Sequence, residues 1–330
     1  MKFGSVPLDQ AQGAVLAHSV ALERGRLRKG RVLSAEDLDA LRATGMDEVI
    51  VARLEPGDLG EDMAAARLAK ALVPDPERAG LRIGKASTGR VNLHAEAPGV
   101  VEVLAPRIHA LNALHPMITV ATVPEWQRVA TGGMVATVKI ISYAVPEAAL
   151  EAACLAGQSA LRLRTVTCKT AQLIQTAVDT GESGEKGHAV TGERLDRLGV
   201  SLGPLQVVPH RVAPLAEAIS ATNADAVLIL TGSATSDLHD VAPEAVRAAG
   251  GTVTHFGMPV DPGNLLFFGA LQDRPVIGLP GCARSPALNG ADWVLERLLC
   301  GVPMTSGDIA GMGVGGLLKE IPARGRLREA

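Results

Sequence analysis

The chain has 330 residues, 47% of them hydrophobic and only 2% aromatic, with a formal net charge of −3. That length accommodates two domains, whose cores must be aliphatic rather than ring-filled. So few aromatic faces exclude a stacking platform for single-stranded nucleic acid, and the absence of a basic excess excludes the electrostatic footprint of a DNA binder. The four cysteines, Cys154, Cys168, Cys282 and Cys300, form no C-x-x-C pair. They read as reduced thiols of a cytoplasmic protein rather than a zinc site or a disulfide framework. The first residues lack the apolar centre of a signal peptide, and no apolar run reaches the ~20 residues that cross a bilayer.

Residues 1–58 read as a small α/β unit. Gly25 to Gly30 is basic and turn-like. Ser34 opens a helix with a capping box to Asp37, and Gly45 stands where a C-cap glycine belongs. Glu48 to Ala52 is a strand. Asp58 to Leu72 reads as a second helix, with acids at its front and Arg67 and Lys70 toward its end, until Pro74-Asp75-Pro76 stops it. Residues 80–145 are richer in short strands: Val100 to Leu104, Met117 to Ala121 and Met134 to Ile141. A turn at Thr131-Gly132-Gly133 is placed to close a hairpin, and Arg107 to Leu114 is a helix. The polar stretch Ala86 to His94 reads as a solvated hairpin end. These 150 residues form the expected N-terminal, β-rich mixed domain (1–150).

Pro146 introduces a helix from Glu147 to Ala156, and a second domain (151–330) follows. Its pattern alternates. Ala171 to Val178 is a strand, Asp179 to Gly187 a polar loop, and Thr191 to Leu198 a helix. Leu205 to Pro209, Ala226 to Leu230, Thr252 to Phe256 and Pro275 to Leu279 are strands. Val212 to Ala221, Glu244 to Ala249 and Ala287 to Leu299 are helices. Strands alternating with helices imply an α/β fold with a parallel sheet covered on both faces. A basic tail (Arg324, Arg326, Arg328) reads as solvated.

The unbroken apolar run Ala226 to Leu230 fits a strand buried on both faces. The loop after it, Thr231 to Asp237, offers small residues, hydroxyls and backbone N–H groups ahead of a helix, which suits an anion such as phosphate. Read locally, Asp240 is that helix's N-cap. Two further loops fall at strand ends. Met258 to Gly269 places Asp261, Pro262, Gly263 and Asn264 before an apolar strand. Leu279 to Pro286 presents Cys282, Arg284 and Ser285 after a Pro280-Gly281 turn. Open α/β sheets bind ligands at the carboxyl ends of their strands, so three such loops on one edge predict a ligand crevice. Gly311 to Gly316 fits G-x-G-x-x-G but lacks a preceding strand and a following βαβ unit, so it is no dinucleotide site.

These residues resemble the molybdopterin-binding proteins of the MoeA/gephyrin molybdotransferase-like family. Thr231-Gly232-Ser233-Ala234-Thr235-Ser236-Asp237-Leu238-His239-Asp240 is similar to the family's T-G-G-x-S-x-G-x-x-D. Asp261 to Gly269 is similar to its K-P-G-K-P-x-x-F-G, with both lysines replaced. Pro280 to Pro286 is similar to its P-G-N-P-x-S-A. Val6 to Val20, Gly25 to Val51 and Gly133 to Val145 resemble N-terminal stretches of the molybdotransferases, while the S-x-M-D-G-Y-A segment is missing. Gly257 to Asn264, Gly281 to Pro286 and Met312 to Leu318 resemble a subgroup often fused to a cytidylyltransferase-like domain.

The resemblance implies a MogA-like C-terminal domain acting in molybdenum cofactor biosynthesis. Molybdopterin, or its nucleotide form, would lie across the three loops: Thr231, Gly232, Ser233 and Asp237 in the first, Asp261 to Asn264 in the second, Pro280, Gly281, Cys282, Arg284 and Ser285 in the third. Gly232 and Ser233 N–H groups and Arg284 would hold phosphate, and Asp240 would act in catalysis by holding Mg2+, with Asp237 as a second candidate ligand. A homodimer is implied in the same way. Three functions stay open: a molybdotransferase-like enzyme that inserts molybdate, a non-catalytic carrier that hands molybdopterin to a cytidylyltransferase partner, and an assembly domain without ligand.

Overall fold

The computed structural model describes residues 1–179 and 183–318. Residues 180–182 of the expected polar loop and the three arginines of the basic tail lie outside them. The chain divides into two compact units: Met1–Glu96 with Val101–Leu163, and Ala97–Val100 with the chain from Arg164 on. The boundary expected at 150 falls inside the helix Glu147–Ala156, which belongs to the first unit.

In the first unit, Lys2–Pro7, Glu48–Arg53 and Val15–Leu16 form an antiparallel three-stranded sheet. Alternation puts Val49 and Val51 of the middle strand into a core with Leu16, Leu33, Leu38 and Leu41. The helix Ala35–Ala43 that covers it starts at Ser34 with the expected capping box, and Gly45 takes the left-handed φ of 82° that ends it. A four-stranded antiparallel sheet follows, in the order Ile118–Thr122, Met134–Ile140, Arg90–Ala95, Leu81–Ile83. The expected helix Asp58 to Leu72 is shorter at its front. Asp58–Gly60 pairs antiparallel with Ala144–Pro146, so the helix begins at Glu61. Ladder hydrogen bonds there outcompete the helical propensity of three residues. Met134–Ile140 pairs antiparallel with Ile118–Thr122 and with Arg90–Ala95, so the turn at Thr131-Gly132-Gly133 lies in the connection between the first two strands, an antiparallel pair.

The second unit is built on a seven-stranded sheet, in the order Ser201–Leu202, Thr170–Ala177, Ala226–Leu230, Arg274–Leu279, Phe267–Leu271, Thr252–Phe256, with Gln206–Pro209 also on Thr170–Ala177. Ala226–Leu230 is central, buried throughout and parallel to both neighbours. Val227 and Ile229 point to one face, where the helices Val212–Ala221 and Val241–Ala248 pack with Leu215, Ile219, Ala245 and Val246. Leu228 and Leu230 point to the other, where the helix Glu185–Asp196 lies against Leu230. The expected parallel sheet carries one reversed strand. Phe267–Leu271 runs antiparallel to Arg274–Leu279 and to Thr252–Phe256. Only Gln272 and Asp273 separate the first two strands, and a two-residue connection permits nothing but a hairpin.

Two antiparallel steps restore the original direction, so Thr252–Phe256 runs the same way as Arg274–Leu279. The loops after Ala177, Leu230, Phe256 and Leu279 therefore leave one edge of the sheet. The topology that positions the site is thus as expected; two of the helices that flank it are longer than expected, and the third, Gly290–Leu299, is shorter at its front. The helix expected over Thr191 to Leu198 starts at Glu185, and the one after Ala226–Leu230 starts at Val241.

Candidate functional site

The strand Thr170–Ala177 ends beside the start of the helix Glu185–Asp196. Between them lies a cavity of about 210 Å³, lined by Gln175, Thr176, Ser183, Gly184, Lys186, Gly187, Val207 and Arg284. Two of these residues are cationic, and none of the described lining residues is acidic. Gln175 is 2% exposed and donates from Nε2 to the Gly184 carbonyl at 2.7 Å, which fixes the entry to the helix. Gly187 is required by close approach. A Cβ there would lie 2.4 Å from Gln175 Oε1 and 2.8 Å from Leu230 Cδ2.

Thr176 ties three strand ends together. Its hydroxyl accepts the Gly232 N–H at 3.0 Å and lies 2.8 Å from His210 Nδ1. A hydroxyl can serve both contacts because it carries two lone pairs and one proton. The Gly232 N–H, expected to hold phosphate, is thus engaged with Thr176. Thr231 and Thr235 are buried and their hydroxyls lie 3.2 Å apart, which closes the loop on itself. Ser233 and Asp237 are exposed.

Asp240 caps the helix Val241–Ala248. Its Oδ2 accepts the Ser236 N–H at 2.9 Å and its Oδ1 the Val241 N–H at 2.7 Å. The Ser236 N–H above all, then the Val241 N–H and the nearby His210, hold the carboxyl below its ordinary range against the upward push of partial burial. Both oxygens therefore have protein partners. Among the described residues no group of three or more His, Cys, Asp or Glu gathers as a metal cage. The donor set around Asp240 is a helix cap in chemistry and does not fit a resident Mg2+.

The third loop joins the cavity at one point. Arg284 lines it and donates from Nη2 to the Thr231 carbonyl at 2.9 Å. Pro280 is buried, while Gly281, Cys282 and Ser285 are exposed around the short 3-10 turn Gly281–Arg284. Asn289, 1% exposed, donates to Cys282 Sγ at 3.1 Å.

The second loop lies further along the edge. Pro262 and Gly263 are buried, and the Pro262 carbonyl accepts the Gly290 N–H at 2.8 Å. The Asp261 N–H donates to the Gly316 carbonyl at 2.9 Å, and Leu318 donates back to the Asp261 carbonyl at 2.8 Å. Asn264 folds back on Met258. The structure thus joins the first and third loops through Arg284 and Thr231, whereas Asp261 to Asn264 lie outside the cavity lining. The G-x-G-x-x-G stretch packs on Pro259, and its last glycine is the partner of Asp261.

Gln175, Thr176, Gly184, Lys186 and Gly187 escaped the sequence reading. Their signal was the pair of glycines three apart, Gly184 and Gly187, at the end of a polar loop that follows a strand.

Two sequence families match the chain. Residues 5–53, the three-stranded sheet and its helix, match one described as a domain of unknown function (DUF8806). Residues 174–299, from within the strand Thr170–Ala177 to the end of the helix Gly290–Leu299, match one described as a probable molybdopterin binding domain. No curated protein matches the chain. Among solved structures, the molybdopterin biosynthesis MoeA protein from Pyrococcus horikosii is similar with a TM-score of 0.32 at 13% identity, over 91% of this chain and 75% of that one. The match to the probable molybdopterin binding domain, residues 174–299, takes in the stretch that builds the cavity.

Proposed function

We propose that the second unit binds molybdopterin, or its nucleotide form, at the carboxyl edge of its sheet, in molybdenum cofactor biosynthesis. The observation that carries this reading is the cavity between Lys186 and Arg284, cationic and without a described acidic residue in its lining. An anionic phosphate entering it meets a guanidinium fork, an ammonium and the first N–H groups of a 12-residue helix. The pterin then extends over the Thr231 loop and the exposed face of the third loop at Cys282 and Ser285.

Binding without turnover is the form of this function that the residues favour. Asp261 and Asn264 stand where the resemblance expects lysines, and both oxygens of Asp240 already accept backbone N–H groups, one from the loop and one from the helix it caps. A carrier that presents molybdopterin to a cytidylyltransferase partner needs neither the lysines nor a catalytic metal. The test is a titration of the purified protein with molybdopterin and its adenylated form, followed by an assay with molybdate. Saturable binding with no product is the expected result. Product formation would make the protein a molybdotransferase, and no binding of either form would end the ligand reading.

Gly187→Ala is the sharpest single change, because its Cβ collides with Gln175 and reshapes the cavity wall. It is expected to weaken molybdopterin binding at least about tenfold, on the scale set by losing one well-placed contact. Affinity equal to the wild type would place the ligand elsewhere.

A further inference from the structure

The loop of residues 281–289 carries Arg284 into the cavity, yet beyond the 3-10 turn Gly281–Arg284 it has no regular structure of its own. Its carbonyls need donors from elsewhere. One side chain provides them. Arg194, 7% exposed near the end of the helix Glu185–Asp196, donates from Nη1 to the Ala283 carbonyl at 2.8 Å. Its Nη2 donates to the Ser285 carbonyl at 2.8 Å and to that of Ala287 at 3.3 Å. Its Nε donates to Asp292 Oδ1. Asp292 is equally buried, and its other oxygen accepts the Asn289 N–H at 2.9 Å. One guanidinium and one carboxylate thereby hold the chain from residue 283 to residue 292.

A buried ion pair is weak evidence for stability, since apolar replacements are often neutral or better. Its better-attested use is to select one conformation. The planar fork of five donors suits this task, because a single guanidinium spans several carbonyls at fixed angles. The same helix contributes Gly184, Lys186 and Gly187 to the cavity at its start. It therefore supplies one cation to the site directly and anchors the loop that supplies the other.

We infer that Arg194 is a positioning residue: it sets where the Arg284 guanidinium stands relative to Lys186, and so how tightly the cavity holds an anion. This rests on the reading of the cavity as the molybdopterin site. Arg194→Lys keeps a charge facing Asp292 but replaces the fork by a single ammonium that does not span three carbonyls. The paired change Arg194→Met with Asp292→Leu removes both charges together and keeps the fold should the lysine variant fail to fold.

Hydrogen exchange of the whole protein is expected to quicken in either variant within residues 281–289 and to stay unchanged in residues 1–96. In titrations with molybdopterin, Arg194→Lys and Arg284→Ala are each expected to bind about tenfold more weakly, as for one lost charge-assisted contact. If Arg194 acts through Arg284, the double variant binds no more weakly than Arg284→Ala alone. Additive losses, or unchanged exchange over 281–289, would overturn the inference. A wild-type protein that binds no molybdopterin would instead end the ligand reading. The exchange comparison then decides by itself whether Arg194 anchors the loop.

Discussion

Asp240 shows how one residue can carry two expectations that geometry separates. Its local sequence reads as a helix N-cap, and the resemblance adds a metal-bound catalytic role. The carboxylate accepts one N–H from Ser236 and one from Val241, which is the cap. Asparagine retains an acceptor for the first turn and alanine does not. Asp240→Ala is therefore expected to cost about 1 kcal/mol, the usual worth of an N-cap, and Asp240→Asn only a few tenths. Urea denaturation of the two variants checks this ordering, and equal losses would mean that the charge matters more than the acceptor. Arg284 was legible in the sequence because it follows a buried strand and a Pro-Gly turn. Lys186 was not, because its place in the site depends on where a helix starts, and Gly184 and Gly187 masked that start as loop. Arg194 was illegible for another reason: its partners are carbonyls about 90 residues away, and backbone carbonyls leave no trace in a sequence.

Elements were legible wherever period and punctuation agreed. The helices Glu147–Ala156 and Val212–Ala221 and the strands Ala226–Leu230 and Thr252–Phe256 have the bounds expected of them. They failed where a distant partner overrode local preference, as at Asp58–Gly60. The pairing of the two central strands has its own clasp at the end away from the cavity. Asp225 Oδ2 accepts the Lys169 N–H at 2.7 Å, the Thr170 N–H at 2.9 Å and the Thr170 hydroxyl at 3.2 Å. The Asp225 N–H returns to the Thr170 hydroxyl at 3.1 Å, one residue before the pair Ala171 with Ala226. The Lys169 N–H, then that of Thr170, holds this carboxyl below its ordinary range. A carboxyl with a lowered folded pKa contributes stability that is complete above the unfolded value of about 3.9 and is lost as pH falls through the folded value. The carboxylate is solvent-exposed, so the gain is screened: Asp225→Ala is expected to cost about 1 kcal/mol at pH 7. The variant's stability should also fall less steeply than that of the wild type below about pH 4. A denaturation series from pH 7 to pH 3 measures both, and parallel acid limbs would show that the clasp carries no linked proton.

At the scale of the whole molecule, the alternation of strands and helices was enough to predict an α/β sheet with its loops gathered at one edge. It did not reveal the reversed strand Phe267–Leu271, because the tight turn before Arg274 contains no glycine: Gln272 itself takes φ of 55°. Nor did it show that the loops divide along the edge, with Arg284 and Thr231 at the cavity and Pro262 bonded to the first N–H of the helix Gly290–Leu299. The scarcity of aromatic residues has a related consequence. Phe267, the largest fully buried side chain among the described residues, lies where any Cβ on Gly278 would meet its ring at 1.9 Å, so the reversed strand is locked to its neighbour by one ring over one glycine. A ligand that binds only the folded second unit must stabilise it by mass action, by about 2.7 kcal/mol when present at 100 times its dissociation constant. Saturating molybdopterin is therefore expected to slow hydrogen exchange in peptides covering Gln175–Thr176, Ser183–Gly187 and residues 281–289, and to leave residues 5–53 unchanged. Exchange follows local opening, so protection maps the groups that the ligand holds closed. Protection centred on Asp261 to Asn264 with none at Lys186 would move the site along the edge to the second loop, because the cavity at Arg284 would then be closing on nothing.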